Sequence, residues 1–156
     1  MATIKVKAES ALVEAHITAL SRLKGRRVEV GWFDDTYPSG KSVSAVMMIN
    51  EYGAVLNRNG KLTVIPARPW LRYAQENFRN KRKDVEDRVF SRLHERQIPP
   101  REAMLQIGQA IKRSIVSSIK NGPWAPNSPY TVARKGSDKP LIDTGQAIST
   151  VDIRII

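Results

Sequence analysis

Two consecutive prolines, Pro99 and Pro100, cut a long stretch of helical spacing in two and so set the frame of the chain. Proline has no N–H to donate and its ring clashes with the preceding turn, so no helix runs through Ile98-Pro-Pro100. Before the break, Leu71, Ala74, Phe78, Val85, Val89 and Leu93 form one apolar stripe on an otherwise charged segment, which predicts a helix over 69–97. Pro69 suits its first position, where a missing N–H costs nothing. After the break, Met104, Ile107, Ile111, Ile115 and Ile119 mark a second helix over 101–120, and Asn121-Gly-Pro123 stops it. So short a connection folds the two into an antiparallel or angled pair.

The segments before this pair alternate between strand and helix signals. Ile4 and Val6 alternate with Lys5 and Lys7, a short half-buried strand. From Ser10 to Lys24 the spacing turns helical, with Leu12, Ala15, Ala19, Leu20 and Leu23 on one face and Gly25 as the stop. His16 lies near the polar edge of that stripe and reads as a surface or core-edge residue rather than a ligand or base. Residues 26–33 read as a strand, with Val28, Val30 and Trp32 opposite Arg27, Glu29 and Gly31. Asp34-Asp35-Thr-Tyr-Pro-Ser-Gly40 is a loop, and its paired carboxylates read as solvated rather than as metal ligands. Ser42 caps a helix to Tyr52 that Gly53 ends. Asn57-Arg-Asn-Gly60 between two apolar runs is a hairpin signal, with Arg58 and Lys61 at a basic tip.

Residues 121–145 are rich in proline and glycine yet carry Trp124, Tyr130 and Leu141. Large apolar groups drive burial, which predicts an ordered arm lying against something. Within it, Ser128-Pro129 caps a short helix ending near Gly136. Asp143-Thr-Gly-Gln146 matches a capping box. From 148 to 156, Val151, Ile153 and Ile155 alternate with Thr150, Asp152 and Arg154, which predicts a strand with one buried face. The expected fold is one α+β domain over 1–156. Its small, mostly antiparallel sheet (near 28–33 and 148–155) packs on three to four helices, among them 10–24, 69–97 and 101–120.

Chemistry-bearing constellations are few. The chain of 156 residues has no cysteine, which removes disulfides and thiolate sites. No run reaches the roughly 20 apolar residues of a membrane span, and the start lacks a signal-peptide core, so the cytoplasm is the expected compartment. There is no Gly-rich phosphate loop and no His pair at metal-binding spacing, and His16 and His94 fall on separate helices. No catalytic, cofactor or metal site is assigned. Leu141-Ile-Asp-Thr-Gly145 looks like the aspartic-protease signature, with Asp143 as the carboxylate and a homodimer supplying the second. That family is all-β and has a further Gly-containing strand after the motif, which this chain lacks. The net charge of +11 is concentrated in 61–121, which holds fourteen Lys/Arg against six Asp/Glu. Such a field favours polyanions, so sequence-independent nucleic-acid binding is an alternative function.

Several motifs in order carry a resemblance. They are a strand, a Ser-led helix ending in Ile49-Asn-Glu-Tyr-Gly53, then Ile65-Pro-Ala-Arg-Pro-Trp-Leu71, a helical region, Gly122-Pro-Trp-Ala-Pro126, and Lys139-Pro-Leu-Ile-Asp-Thr-Gly145 before a terminal strand. From about Val28 onward the chain resembles the tail-completion or neck proteins of tailed bacteriophages, also described as virion-morphogenesis or minor tail proteins. Asn127 departs from the pattern, which has an apolar residue there. The resemblance implies a non-enzymatic virion protein, made in the host cytoplasm, that assembles usually as a six-fold ring at the head-proximal end of the tail. It implies contacts with itself, with a tail terminator or tail tube protein and with a head-completion or connector protein, with no membrane. Genomic DNA would pass through the lumen without sequence specificity. On this reading Trp124, Pro126, Tyr130, Lys139, Pro140 and Leu141 are candidates for inter-subunit or partner contacts. Arg58, Lys61, Arg79, Lys81, Arg82 and Lys83 are candidates for facing DNA.

Overall fold

The two helices flanking the double proline pack along their length, as the break requires. In the computed structural model they are Trp70–His94 and Pro100–Asn121, the third and fourth of the six helices among the described residues. The backbone is described for residues 2–156, and side chains for residues 11–156 other than Arg58 and Lys61. In chain order the elements are α1 (Ala2–Ser21), β1 (Val28–Gly31), α2 (Val43–Tyr52), β2 (Ala54–Arg58), β3 (Lys61–Ile65), α3 (Trp70–His94), α4 (Pro100–Asn121), α5 (Pro129–Lys135), α6 (Gln146–Ser149) and β4 (Asp152–Ile155). Two antiparallel two-stranded sheets, β1–β4 and β2–β3, accompany the helices, an α+β arrangement. Among the described residues no helix is long and apolar enough to cross a membrane.

The core lies in two parts along the helical pair. At the turn end, Val85, Val89 and Leu93 of α3 meet Ile98, Ala103 and Ala110. At the other end, Val43 and Met47 of α2 join Trp70, Ala74, Ile115, Ile119, Ala147 and Val151. The sheet β1–β4 pairs Val28 with Ile155 and Val30 with Ile153, and it rests on α4 over Gly108. A Cβ at Gly108 would lie 2.7 Å from Ile153 Cγ2 and 2.9 Å from Val28 Cγ1, so the missing side chain is what lets the sheet approach. Gly108→Ala gains about 1 kcal/mol of helix propensity and meets an overpacking cost of about 1–3 kcal/mol. The expected net is a loss of about 1 kcal/mol in urea denaturation, and an unchanged or raised midpoint would mean the sheet yields instead.

Local signals appear where expected. Ser42 caps α2 by accepting from Ala45 N, and Ser128 caps α5 by accepting from Thr131 N. The β2–β3 hairpin turns through Asn59 and Gly60, both at positive φ, as a two-residue primed turn demands.

Four expectations change. Residues 4–7 lie within α1 rather than in a strand, and among the described residues no strand neighbours them to supply ladder bonds. Their side chains lie outside the described residues. The helix expected over 10–24 does not cover the sheet: Leu12, Val13, Ile17 and Leu20 are exposed. The C-terminal strand is shorter than 148–156, because Gln146–Ser149 is the helical turn α6. Ala147 and Val151, four apart, are both buried, so the first half of the segment follows helical spacing and only the second alternates. Finally, the Asp143 capping box does not form. Gly145 in the left-handed region is the N-cap, and no side chain caps it. Gln146 N instead donates to Thr144 Oγ1 at 3.3 Å, and the Gln146 side chain donates to Thr36 O at 2.7 Å.

Candidate functional site

The arm 121–145 lies against its own domain, and the Arg68 guanidinium gathers one stretch of it. Arg68 stands between Pro66 and Pro69, and the proline after it holds its backbone out of the helical region. Its guanidinium is buried and donates to Ala125 O at 2.9 Å, to Pro126 O and Asn127 Oδ1 at 3.2 Å, and to Asn50 Oδ1 at 3.3 Å. Burial lowers its pKa, and carbonyl oxygens rather than a carboxylate satisfy the charge. The planar fork suits this task, since its N–H groups point at several acceptors in one plane.

The neighbouring motifs close on the same place. Glu51, at the last turn of α2, is buried; it accepts from Leu71 N at 2.7 Å and from Arg72 Nε at 3.1 Å. It thereby serves the N-terminus of α3, whose cap residue Pro69 has no side chain able to do so. Trp70 Nε1 donates to Met47 O at 2.8 Å, while Ser118 Oγ donates to Trp70 O at 2.6 Å. Trp124 Nε1 donates to Ser118 O at 3.0 Å, and its ring meets Tyr73 edge-on with centroids 5.5 Å apart. Thus Asn50-Glu51, Arg68-Trp70 and Trp124–Asn127, far apart in sequence, form one latch.

The expected contact residues divide into two groups. Trp124, Pro140 and Leu141 are half-buried, with Trp124 and Leu141 packed against the main core, whereas Pro126, Tyr130 and Lys139 are exposed. Trp124 is therefore engaged within its own domain, and Tyr130 is the exposed aromatic of the arm. Arg79, Lys81, Arg82 and Lys83 are all exposed on α3, with Arg82 paired to Glu86 at 2.7 Å. The side chains of Arg58 and Lys61 lie outside the described residues. Sequence reasoning missed Glu51, Arg68 and Asn127 as a unit. The departure at Asn127 was the available signal: it accepts from Arg68 and donates to Asp138 O at 3.1 Å, which an apolar residue could not do.

The acidic positions show no assembled chemistry. Asp34 pairs with Arg154 at 2.6 Å, and that guanidinium lies 4.0 Å over the Phe33 ring. Among the described residues no three His, Cys, Asp or Glu side chains are grouped to hold a metal. Asp143 is exposed. The Tyr37 hydroxyl nearby has a raised pKa, mainly from burial and secondarily from the Asp143 charge. Lys135 is lowered by burial, although Asp143 acts to raise it.

Among the described residues two apolar faces have no cover. On the β2–β3 ribbon, Val55 sits directly opposite Val64, and the two are 64% and 69% exposed, with Leu62 beside them. On α1, Leu12, Val13, Ile17 and Leu20 are exposed. Comparison with protein-family models, with curated proteins and with solved structures finds no match for this chain.

Proposed function

We propose that the chain is a structural component of a tailed-phage neck. In this reading copies of it form a ring that completes the tail and joins it to the head connector, with DNA passing through. The supporting observation is the pair of uncovered apolar faces on separate elements, the β2–β3 ribbon and α1. Fully burying a Val, Leu or Ile side chain is worth about 1.5–3 kcal/mol, so leaving both faces in water forgoes a substantial gain. A ring needs two different surfaces per subunit, since its contacts are heterologous, and two distinct faces are available. The ribbon adds unpaired strand edges, which another chain can extend. The latch contributes rigidity: an arm held by Arg68 presents Tyr130 and Lys139 in fixed positions, which limits the entropy lost on docking.

Light scattering or native mass measurement, with electron microscopy of the assembled particles, tests this. The expected result is a closed ring for the unaltered chain. The double substitution Val55→Gln, Val64→Gln, neutral in charge and outside both core clusters, is expected to yield monomers with an unchanged circular dichroism spectrum. An unaltered chain that stays monomeric at tens of micromolar, or virions lacking it that still join heads to tails, would overturn the reading.

A further inference from the structure

We propose that the groove between α3 and α4 binds the phosphates of a nucleic-acid backbone. This groove of about 520 Å³ draws Lys81 and Arg88 from α3 and Arg113, Ser114 and Ser117 from α4, and among the described residues no carboxylate lines it. Its three cations come from two helices that the double proline folds side by side, so they converge only in the folded chain. Among the described residues none of the three has a carboxylate oxygen within 4.0 Å. Elsewhere on the same helices the basic side chains are partly occupied: Arg82 by Glu86, Arg72 by Glu51, and Arg92 by Gln106. Asp84 lies within a helical turn of both Lys81 and Arg88; it weakens the field without pairing with either.

The spacing selects a polyanion over a single ion. Lys81 and Arg88 are seven residues apart, about 10 Å along the helix axis, too far for one phosphate to join and suited to a row of them. The serine hydroxyls can donate to phosphate oxygens between the charges. The aromatic lining does not read bases: Tyr73 is engaged edge-on with Trp124, and Phe78 packs in the core cluster at the turn end of the pair. Recognition is therefore electrostatic and independent of sequence. It requires no ring, so it stands apart from the neck reading.

Fluorescence anisotropy with a labelled random-sequence duplex of about 30 base pairs, at about 50 and 200 mM salt, tests it. The triple variant Lys81→Gln, Arg88→Gln, Arg113→Gln is expected to lose at least about 50-fold in affinity at the lower salt. Its slope of log affinity against log salt should become shallower by about 3. A control with the same charge change at exposed cations outside the groove, Lys24→Gln, Lys41→Gln, Arg101→Gln, should lose less than about fivefold. Equal losses in the two triples would mean diffuse charge and no groove site. No duplex binding by the unaltered chain, or capture by anionic phospholipid vesicles alone, would also overturn the proposal. If the triple variant unfolds, the single changes Arg88→Gln and Arg113→Gln take its place, each expected to reduce the slope by about 1. Particle mass is measured on every variant. Lost binding at unchanged mass implicates the groove alone, and retained binding by the Val55→Gln, Val64→Gln monomer keeps the groove separate from assembly.

Discussion

Alanine in place of Arg68 is expected to destabilise the domain by about 3 kcal/mol and to release the arm from Gly122 to Asn127. The side chain donates to two backbone carbonyls of the arm and to the amide oxygens of Asn50 and Asn127. Its loss leaves those acceptors short of partners in a half-buried site, and unsatisfied groups cost about 1–3 kcal/mol in such places. Part of the loss is packing, because the stem is buried along with the head. Denaturant midpoints measure the stability, and limited proteolysis between Gly122 and Asp138 measures release. Arg68→Lys should recover little of either, since one ammonium group cannot meet acceptors spread across Ala125, Pro126, Asn127 and Asn50. Asn127→Ala, which removes one of these acceptors and its own bond to Asp138, is expected to cost about 1 kcal/mol. An Arg68→Ala protein with an unchanged midpoint and no new cleavage would mean the arm is held by Trp124 alone.

The parts of this structure legible in the sequence are those whose cause is local. Pro99-Pro100 breaks a helix by its own chemistry, Asn59-Gly60 adopts positive φ by its own sterics, and Ser42 and Ser128 reach N–H groups three residues on. The failures come from backbone geometry or burial partners that the local pattern does not reveal. Capping by Asp143 was a local inference defeated by the left-handed Gly145, and α6 hides in an alternating segment because its burial partners belong to the distant α2, α3 and α4. The latch was less legible still. Arg68 meets residues 57 to 59 positions away, and nothing in its immediate neighbours marks it as buried. The stripe on α1 was legible as a stripe, but periodicity says only that a face is apolar. It does not say that the cover comes from the same chain, and here the described part of that face is open.

Glu51→Ala is expected to cost about 3 kcal/mol, nearly all of it through the start of α3. Two partners share the carboxylate, Leu71 N at 2.7 Å and Arg72 Nε at 3.1 Å, and they are not equal. The Arg72 side chain is 66% exposed, so water screens its end of the pair, and such pairs contribute at most about 1 kcal/mol. Leu71 N is one of the first N–H groups of α3, which have no partner within the helix, and Pro69 brings no capping side chain. A carboxylate there satisfies a donor and faces the positive end of the helix dipole in one position. A double-mutant cycle separates the two contributions: Arg72→Ala alone should cost less than about 1 kcal/mol, and Glu51→Ala should cost nearly as much with Arg72 absent as with it present. Glu51→Gln, which keeps an oxygen for Leu71 N but surrenders the charge, should fall between, near 1 kcal/mol. Were the cost of Glu51→Ala to vanish in the Arg72→Ala background, the ion pair and not the helix start would be the anchor. Chemical denaturation of the four proteins decides between them. The same scans bear on the arm, because Asn50, next to Glu51, accepts from Arg68, so a disordered end of α2 would loosen the latch as well.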